Sequence, residues 1–560
     1  MEKKIDNSHR HIAYFSMEIG IDERMPTYAG GLGVLAGDTI KSCADLKIPL
    51  VAVTLLSKKG YFYQKIDDFG NQKELPVEWN PDDFLKLIPK KISVKIEGKE
   101  VYVQPWVYFV KGITGFKIPI IFLDTDVKEN QGEDKIITNH LYGGDLKYRL
   151  RQEMVLGIGG FRMLEALGFD NVEKYHMNEG HSALLVFELL KKMNNDFHKT
   201  RNKCVFTTHT PVPAGHDQFE LDLVKQVLGD IWTEEFKEKV CHDQKLNMTL
   251  LALYFSKYVN GVAKKHGEVS RDMFPEYDVD SITNGVHSRT WTAPPIKNLF
   301  DKNISGWKND PFSLRYIAGL DKKKLWAAHL ECKKKLIDYV NKETNAGMDY
   351  DYFTIGFARR FTAYKRPDLI FSDMERLIKI SDKTGKIQLV FAGKAHPNDT
   401  DGKNKIKKIH DLINEHKKDI KIAFIENYDM SVAKLLISGV DIWLNNPLIP
   451  REASGTSGMK AAHNGVPQIS SLDGWWLEGH IENITGWSIG EKSFPKNKIE
   501  SDSAKESEDL YNKLEKVILP LYYEDRDNWI RKMRSAIYIN ASFFNTHRMV
   551  QQYVTKAYFE

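Results

Sequence analysis

The chain has 560 residues, which exceeds the usual size of one hydrophobic core, so we expect two domains with a cleft between them. Its 80 basic and 76 acidic residues leave a net charge of only +4, and 42% of the residues are hydrophobic, so the composition indicates an ordinary globular protein and no nucleic-acid partner. The polar opening and the lack of a long apolar run predict a cytoplasmic protein without a signal peptide or a membrane span. Four scattered cysteines fit a reducing compartment and argue against a structural zinc site.

Short β-rich runs alternate with helical patterns along the whole chain. The first half contains "HIAYFSM", a helix predicted from about Leu32 to Asp45, "IPLVAVTLLS" and "KCVFTTHTP"; the second contains "YFTIGFARRF", "IQLVFAGKAHP" and "VDIWLNNP". This alternation predicts the α/β class, with two doubly wound, Rossmann-like domains that face a central cleft. We expect a domain of residues 1–287, a second of residues 288–534, and a helical stretch, 535–560, that returns to the first domain.

A glycine-rich turn precedes the predicted helix of the first half. Gly30, Gly31 and Gly33 would let backbone amides approach an anion closely at the positive end of that helix. An ordinary turn before a helix explains the same glycines equally well. The following strand also lacks the acidic residue that a dinucleotide site would use to bind ribose.

Four cations follow the strand "FTIGF" of the second half within eight residues: Arg359, Arg360, Lys365 and Arg366. Arginine offers a bidentate fork and lysine a point charge, so the cluster predicts an anion site rather than a solvated loop. Lys394 follows the next strand and is expected at the same edge of the sheet.

Two histidine-containing stretches follow strands of the first half. His176, Glu179 and His181 do not have the H-E-x-x-H spacing that places two imidazoles on one helical face, so we expect no metal site. His209 is expected to point into the cleft, with a packed core histidine as the alternative. Asn284 could read a hydroxyl group, although Asn-Gly is first of all a turn signal.

The stretch "REASGTSGMKAAHNG" predicts a short helix after a buried strand. Lys460 lies four residues after Thr456 and three after Ser457, so the amine and both hydroxyls share a helix face near the amide-rich N-terminus. Such a face suits a ligand that is anionic at one end and reacts with amines at the other. Glu452, at the mouth of this helix, could supply an N-cap charge and is expected to accept hydrogen bonds from sugar hydroxyls, and Asp473 is expected in a loop.

The segment "EASGTSGMK" is similar to the pyridoxal-phosphate signature E-A-S-G-T-G-N-M-K of the α-glucan phosphorylases, with identity at seven of nine positions. Six further motifs precede this segment and occur in the family's order from about residue 11. They are "YFSMEIG", "GGLGVLA", "TNGVHSRTW", "RRFTAYKR", "GKAHP" and "ENYDMSVAKLL". The chain therefore resembles the glycogen, starch and maltodextrin phosphorylases, which are pyridoxal 5′-phosphate enzymes of the GT-B fold.

The resemblance implies retaining phosphorolysis of an α-1,4-glucan by inorganic phosphate, which releases glucose 1-phosphate. It implies that Lys460 forms the Schiff base with pyridoxal phosphate and that Arg360 and Lys365 grip inorganic phosphate. The residues that it places around the cofactor and the phosphates are Gly30, Gly31, Leu32, Arg359, Lys365, Thr456 and Ser457, with Tyr364, Tyr428 and Trp291 nearby. Those that it places around the glucosyl unit are His209, Asn284, Glu452, Ser454 and Gly455.

The chain also departs from the family pattern. Arg359 replaces the usual lysine, Ser457 and Gly458 replace glycine and asparagine, and because the N-terminal segment is short we expect no allosteric regulation of the family's kind. A GT-B nucleotide-sugar glucosyltransferase of the glucan synthase type and a non-catalytic glucan-binding protein are the alternatives to the phosphorylase. By analogy with family members, we expect a homodimer.

Overall fold

The computed structural model describes residue 7, residues 9–490 and residues 502–559. Two β-sheets organise these residues, one of ten strands in the first half and one of six strands in the second. The strands of the first half are β1 Ile12–Ser16, β2 Leu50–Leu55, β3 Tyr63–Ile66, β4 Gln72–Leu75, β5 Lys86–Leu87, β6 Ile92–Ile96, β7 Lys99–Lys111, β8 Lys117–Asp124, β9 Lys174–Asn178, β10 Cys204–Thr207, β11 Gln218–Glu220, β12 Cys241–His242, β13 Lys245–Asn247, β14 Tyr258–Gly261 and β15 Asp280–Ser281. Those of the second half are β16 Phe353–Ala358, β17 Ile387–Ala392, β18 Lys421–Ile425, β19 Ile442–Asn445, β20 Gln468–Ser471 and β21 Gly486–Ile489.

Helices connect most of these strands. They are α1 Gly31–Asp45, α2 Leu146–Met154, α3 Gly160–Ala166, α4 Leu185–Lys192, α5 Phe197–Lys203, α6 Leu221–Leu228, α7 Lys237–Val240, α8 Met248–Phe255, α9 Lys264–Met273, α10 Ser288–Trp291, α11 Pro294–Asn303, α12 Lys322–Thr344, α13 Met374–Lys383, α14 Thr400–His416, α15 Met430–Gly439, α16 Thr456–Ala462, α17 Trp476–Gly479, α18 Ser503–Lys513, α19 Leu519–Glu524, α20 Arg526–Ser535 and α21 Thr546–Tyr553. Among the helices of the described residues, none combines the length and the apolar character that a membrane crossing requires.

The ten-stranded sheet has the order β15-β14-β10-β9-β1-β2-β8-β7-β5, with β6 paired to β7. Its strands from β15 to β8 are parallel. Alternate residues of β1 enter different cores, since Ala13 and Phe15 pack on one face and Ile12 and Tyr14 on the other. Burial on both faces is typical of parallel sheets that helices cover on both sides.

The six-stranded sheet is entirely parallel and has the order β18-β17-β16-β19-β20-β21. The chain builds β16 to β18 in one direction and β19 to β21 in the other, so the strand order reverses between β16 and β19. The first sheet reverses in the same way between β1 and β9. Ligands of such sheets bind beyond the carboxyl ends of the strands at this reversal. The predicted α/β class with parallel sheets is confirmed.

Two segments pack across from one half of the chain to the other, in addition to the covalent connection between the halves. The hairpin β3–β4 of the first half lies against the loops that follow β17 and β18. Helix α21 packs on α1, and its Met549, Val550 and Tyr553 belong to the core on one face of the first sheet.

Candidate active site

Lys460 lies in the middle of the short helix α16 and is 8% exposed. The helix begins after Gly455, whose φ of +85° lies in the left-handed region that glycine adopts without strain. The Lys460 Nζ is 3.9 Å from the centroid of the Trp291 ring. Burial lowers the pKa of this amine to about 8, so a larger share of it is neutral and nucleophilic near pH 7 than for an ordinary lysine.

Asn464 fastens α16 to the segment that carries Trp291. Its Nδ2 donates to the Trp291 carbonyl at 2.8 Å and to the Lys460 carbonyl at 3.0 Å, while its Oδ1 accepts from the Ala293 amide at 2.7 Å. The indole Nε1 of Trp291 donates to Asp38 Oδ2 on α1 at 2.6 Å. The lysine is therefore held between elements from both halves of the chain.

A buried cluster of opposite charges lies at the carboxyl ends of β16 and β19. The carboxylate of Glu452 accepts from Arg359 at 2.5 Å and from Lys365 at 2.8 and 3.0 Å. Arg359 also donates to Asn445, the last residue of β19. Burial alone would raise the pKa of Glu452, but Arg359 and Lys365 outweigh it and lower that pKa to about 2. The structure thus brings these predicted site residues together.

Asp473 borders this cluster. Its Oδ2 accepts from the Glu452 amide at 2.8 Å and its Oδ1 from the Gly474 amide at 2.8 Å. Burial, with a further contribution from the Glu452 charge, raises the pKa of Asp473 to about 7. Glu452 is not the N-cap of α16, because that position belongs to Gly455.

The other predicted cations of this region do not all join the cluster. Arg360 has an exposed side chain. Arg366 does not join the cluster: its guanidinium pairs with Glu506 and donates to the carbonyls of Asn446 and Pro447, and its backbone has a left-handed conformation with φ +46°. The expectation of a four-cation cradle is therefore wrong at Arg366.

Lys394 makes a contact that the sequence does not suggest. Its Nζ donates to the Phe62 carbonyl of the first half at 2.8 Å, and burial lowers the pKa of this amine to about 8. It therefore connects the loop at the carboxyl end of β17 to the chain segment before the hairpin β3–β4.

The remaining predicted residues of the α16 region lie around its N-terminus. Ser457 Oγ accepts from Trp443 Nε1 at 3.1 Å, and Thr456 is half-buried beside it. Ser454 is buried and its Oγ has no hydrogen-bond partner among the described residues. Tyr428 is half-buried against the same core that contains Trp291, and Tyr364 lies with its ring 4.4 Å from Lys365 Nζ.

On the first half, the N-terminus of α1 is open. Nothing lies within 4 Å of a Cβ built on Gly30 or Gly31, so the predicted approach of a ligand to this backbone meets no steric obstacle. Leu32 is half-buried in the first turn. Glu18, which follows β1, accepts from the amides of Ala29 and Gly30 at 2.6 and 3.1 Å and so shapes the turn.

His209 lies at the carboxyl end of β10, as predicted from its place after the strand. Its amide donates to Glu179 Oε2 at 2.7 Å, and its Nε2 lies 2.7 Å from Asn178 Oδ1. Burial lowers the pKa of His209 to about 3, so the ring is neutral near pH 7. Glu179 has a φ of +71°, an unusual conformation for a residue with a side chain, and burial raises its pKa to about 7.

Asn284 is 3% exposed, and its Oδ1 is a buried acceptor without a hydrogen-bond partner among the described residues. Its carbonyl accepts from an Arg548 nitrogen at 2.9 Å. The helix α21 therefore holds the backbone that carries this amide. A buried, unsatisfied acceptor of this kind fits a ligand hydroxyl.

A further cluster lies at the other end of α1. Asp45 Oδ2 is 3.0 Å from His287 Nε2 and 3.3 Å from His547 Nε2, and these three donor atoms lie within 4.8 Å of one another, close enough to hold a metal ion. Arg289 also pairs with Asp45, at 3.2 Å. The absence of a metal site stays a prediction, and sequence spacing does not bring these three residues together because they lie far apart along the chain.

Three further polar residues of the region, Asp38, Glu18 and Asn464, were not predicted from the sequence. Asp38 lies one residue after a glycine inside an otherwise apolar helix, which was the available signal for it. For Asn464 the signal was an amide at the end of the lysine-bearing helix.

Similarity to known proteins identifies the family of the chain. Residues 234–517 match the family model for carbohydrate phosphorylases. The chain is 40% identical to the maltodextrin phosphorylase of Thermococcus litoralis, with 98% of this chain and 70% of that protein covered. It belongs to the carbohydrate phosphorylase family. The predicted family is thereby confirmed.

Other relatives in this family have similar coverage. The glycogen phosphorylase of Aquifex aeolicus is 36% identical over 99% of this chain and 87% of its own length. An uncharacterized protein of Methanocaldococcus jannaschii is 33% identical over 98% of this chain and 99% of its own length.

Proposed function

We propose that this protein is an α-1,4-glucan phosphorylase that uses inorganic phosphate to remove one glucose unit from a chain end as glucose 1-phosphate. The observation that carries the proposal is the buried, weakly basic amine of Lys460, held in a helix whose N-terminal approach also contains the Arg359–Lys365–Glu452 cluster. Family membership favours a phosphorylase over a nucleotide-sugar glucosyltransferase.

The residues of the site fit pyridoxal 5′-phosphate. Lys460 would hold the aldehyde end, while Thr456, Ser457 and the open turn at Gly30 and Gly31 would face its phosphate. When bound, the cofactor supplies a phosphate group that exchanges a proton with the substrate phosphate. Trp291 and Tyr428 would border its ring.

The cations account for the binding of a second phosphate. Arg359 and Lys365 lie together and carry positive charge beside the first turn of α16, and the exposed Arg360 adds a third cation. An anion held below the glucosyl ring would stabilise the positive charge that develops on that ring in the transition state. The neutral imidazole of His209 and the amide of Asn284 would orient the glucosyl unit from the first half, and Glu452, Ser454 and Gly455 from the second.

In this proposal the two sheets form the GT-B arrangement, with residues 1–287 and 288–534 as domains and 535–560 returning to the first. The two strand-order reversals and the packing of α21 on α1 support this division. The protein would act as a cytoplasmic homodimer.

The decisive experiment is product analysis with maltotetraose. Purified protein should release glucose 1-phosphate only when phosphate is present, and Lys460→Ala should lose at least a thousandfold in rate, while Lys434→Ala, an exposed lysine paired with Glu23, should keep full activity. Transfer from ADP- or UDP-glucose without phosphate-dependent release would instead identify a glucosyltransferase. Full phosphorolysis by Lys460→Ala would overturn the proposed role of this lysine.

A further inference from the structure

Asp38 is a buried carboxylate whose two oxygens differ sharply. It lies in the middle of α1 and is 1% exposed. Its Oδ2 accepts from Trp291 Nε1 at 2.6 Å and from the His287 amide at 3.1 Å. Its Oδ1 is buried and has no hydrogen-bond partner among the described residues. A buried carboxylate oxygen without a donor is costly, so its presence calls for a ligand that supplies one.

The position of Asp38 connects it to the lysine site. Trp291 is the link, because its ring lies 3.9 Å from Lys460 Nζ and its Nε1 binds Asp38. The charge of Asp38 also raises the pKa of Lys460, against the larger lowering by burial, so the two side chains are electrostatically coupled. The carboxylate therefore belongs to the same buried region as the reactive amine.

The negative charge of Asp38 also acts on the pKa values of Lys41, His463 and His287. None of them donates to Oδ1. The nitrogens of His463 are already engaged, since Nδ1 lies 2.8 Å from the Met459 carbonyl and Nε2 lies 2.9 Å from Ser288 Oγ. These contacts leave the free oxygen available to a bound molecule.

We propose that Asp38 Oδ1 accepts a hydrogen bond from the protonated ring nitrogen of a pyridine cofactor held at Lys460. The inference rests on the proposed function, because it needs an aromatic aldehyde at that lysine. A pyridine ring carries its nitrogen opposite the aldehyde, so a ligand fixed at Lys460 presents a donor at its far end when that nitrogen is protonated. A carboxylate is the usual partner for such a nitrogen. The proton stays on the ring nitrogen, and no covalent bond is made or broken.

The variant that tests the proposal is Asp38→Asn, which keeps an acceptor for Trp291 Nε1 but removes the negative charge. Loss of an opposite charge should lower the pKa of the cofactor's ring nitrogen by about 1 to 3 units. This shift is measured by titrating the absorbance of the bound cofactor, or by nitrogen NMR with isotope-labelled pyridoxal phosphate. Cofactor affinity should fall about tenfold to a hundredfold, as expected for a lost charge-assisted hydrogen bond.

A second measurement separates this hydrogen bond from a purely structural role. The 1-deaza analogue of pyridoxal phosphate has carbon in place of the ring nitrogen and cannot donate to Asp38. The original protein should bind the analogue more weakly than pyridoxal phosphate, and this preference should be much smaller in Asp38→Asn. The matched control is Asp301→Asn, which removes a carboxylate that pairs with Lys308 outside this region and should leave the titration unchanged.

The outcomes distinguish the two hypotheses. If the protein binds pyridoxal phosphate and Asp38→Asn changes neither the titration nor the preference over the analogue, the role of Asp38 is overturned while the proposed function stands. If the original protein binds no pyridoxal phosphate, the proposed function fails first. Equal loss of affinity for cofactor and analogue in Asp38→Asn indicates a structural role and also overturns the proposal.

Discussion

Glu452 is the residue on which the electrostatics of the anion site depend. Its carboxylate already neutralises Arg359 and Lys365, so an incoming phosphate competes with it for the same two cations. The side chains of Arg359 and Lys365 are only 11% and 9% exposed. The low dielectric constant around a buried ion pair strengthens the attraction between its charges. In the proposed site, the charge on this one carboxylate would therefore set how strongly Arg359 and Lys365 hold a phosphate.

We expect Glu452→Gln to bind inorganic phosphate about tenfold more tightly in the absence of glucan, because both cations lose their internal partner. The same change should slow phosphorolysis, since Glu452 is proposed to bind the glucosyl unit. Calorimetric titration with phosphate measures the first effect. Glu508→Gln, an exposed residue paired with Arg376, serves as the control, and unchanged or weaker phosphate binding by Glu452→Gln would contradict the expectation.

The pKa of Lys460 gives a second prediction at this scale. An amine must be neutral to attack an aldehyde, and the pKa of about 8 places half of this lysine in the neutral form at pH 8. The rate at which cofactor-free protein takes up pyridoxal phosphate should therefore rise with pH and level off above about pH 9. Absorbance changes follow this uptake, and a midpoint near the value of about 10.4 for a free lysine would refute the effect of burial.

Among the elements, the hairpin β3–β4 has the clearest positioning role. Gln64 Nε2 donates to the Gly393 carbonyl at 2.8 Å, and Gln72 both donates to the Ala395 carbonyl and accepts from its amide at 2.9 Å. These two buried glutamines hold the loop on both sides of Lys394. The hairpin of the first half thus fixes the loop after β17, at the carboxyl ends of the strands of the second sheet, where the predicted cations lie.

Replacement of Gln72 by methionine keeps the length of the side chain but removes its amide. The buried amide and carbonyl of Ala395 would lose their partners, so unfolding free energy should fall by about 2 kcal/mol. Denaturant titration measures this loss. Lys73→Met, a change at the exposed neighbour, should have little effect, and equal stability of the two variants would disprove the role of the hairpin.

The sequence predicts some elements of the site but not the contacts between them. Strands β16 and β19 and helices α1 and α16 were predicted from local periodicity and glycine positions, because these signals depend on neighbours along the chain. The contact of Asp38 with Trp291 joins residues 253 positions apart, and nothing local indicates it. Arg359 and Arg366 look alike in sequence, yet the first pairs with Glu452 in the site and the second with Glu506 outside it.

At the scale of the whole molecule, α21 controls a part of the site that lies far from it in sequence. Arg548 donates to the carbonyls of Thr283 at 2.5 Å and Asn284 at 2.9 Å and also to the Phe543 carbonyl. Burial lowers its pKa to about 10, so the side chain is still charged near neutral pH. The orientation of the Asn284 amide thus depends on a helix more than 260 residues away.

Arg548→Met should leave these carbonyls without donors and let the Asn284 segment move. We expect the KM for glucan to rise about tenfold, with a smaller change for phosphate, because Asn284 faces the sugar in the proposed site. Steady-state kinetics with each substrate varied in turn measure the split. Lys556→Met, which removes an exposed partner of Asp280, is the control, and unaltered KM for glucan in Arg548→Met would contradict this role.

The anchoring of residues 283 and 284 by α21 has a consequence for biosynthesis. A ribosome completes the first sheet long before it reaches Arg548, so the nascent protein holds Asn284, the asparagine that we propose faces the sugar, on an unsecured segment until translation has passed the second sheet. Catalytic competence should then appear only in the last moments of synthesis, and polypeptides released early should fold in part yet be unable to degrade glucan.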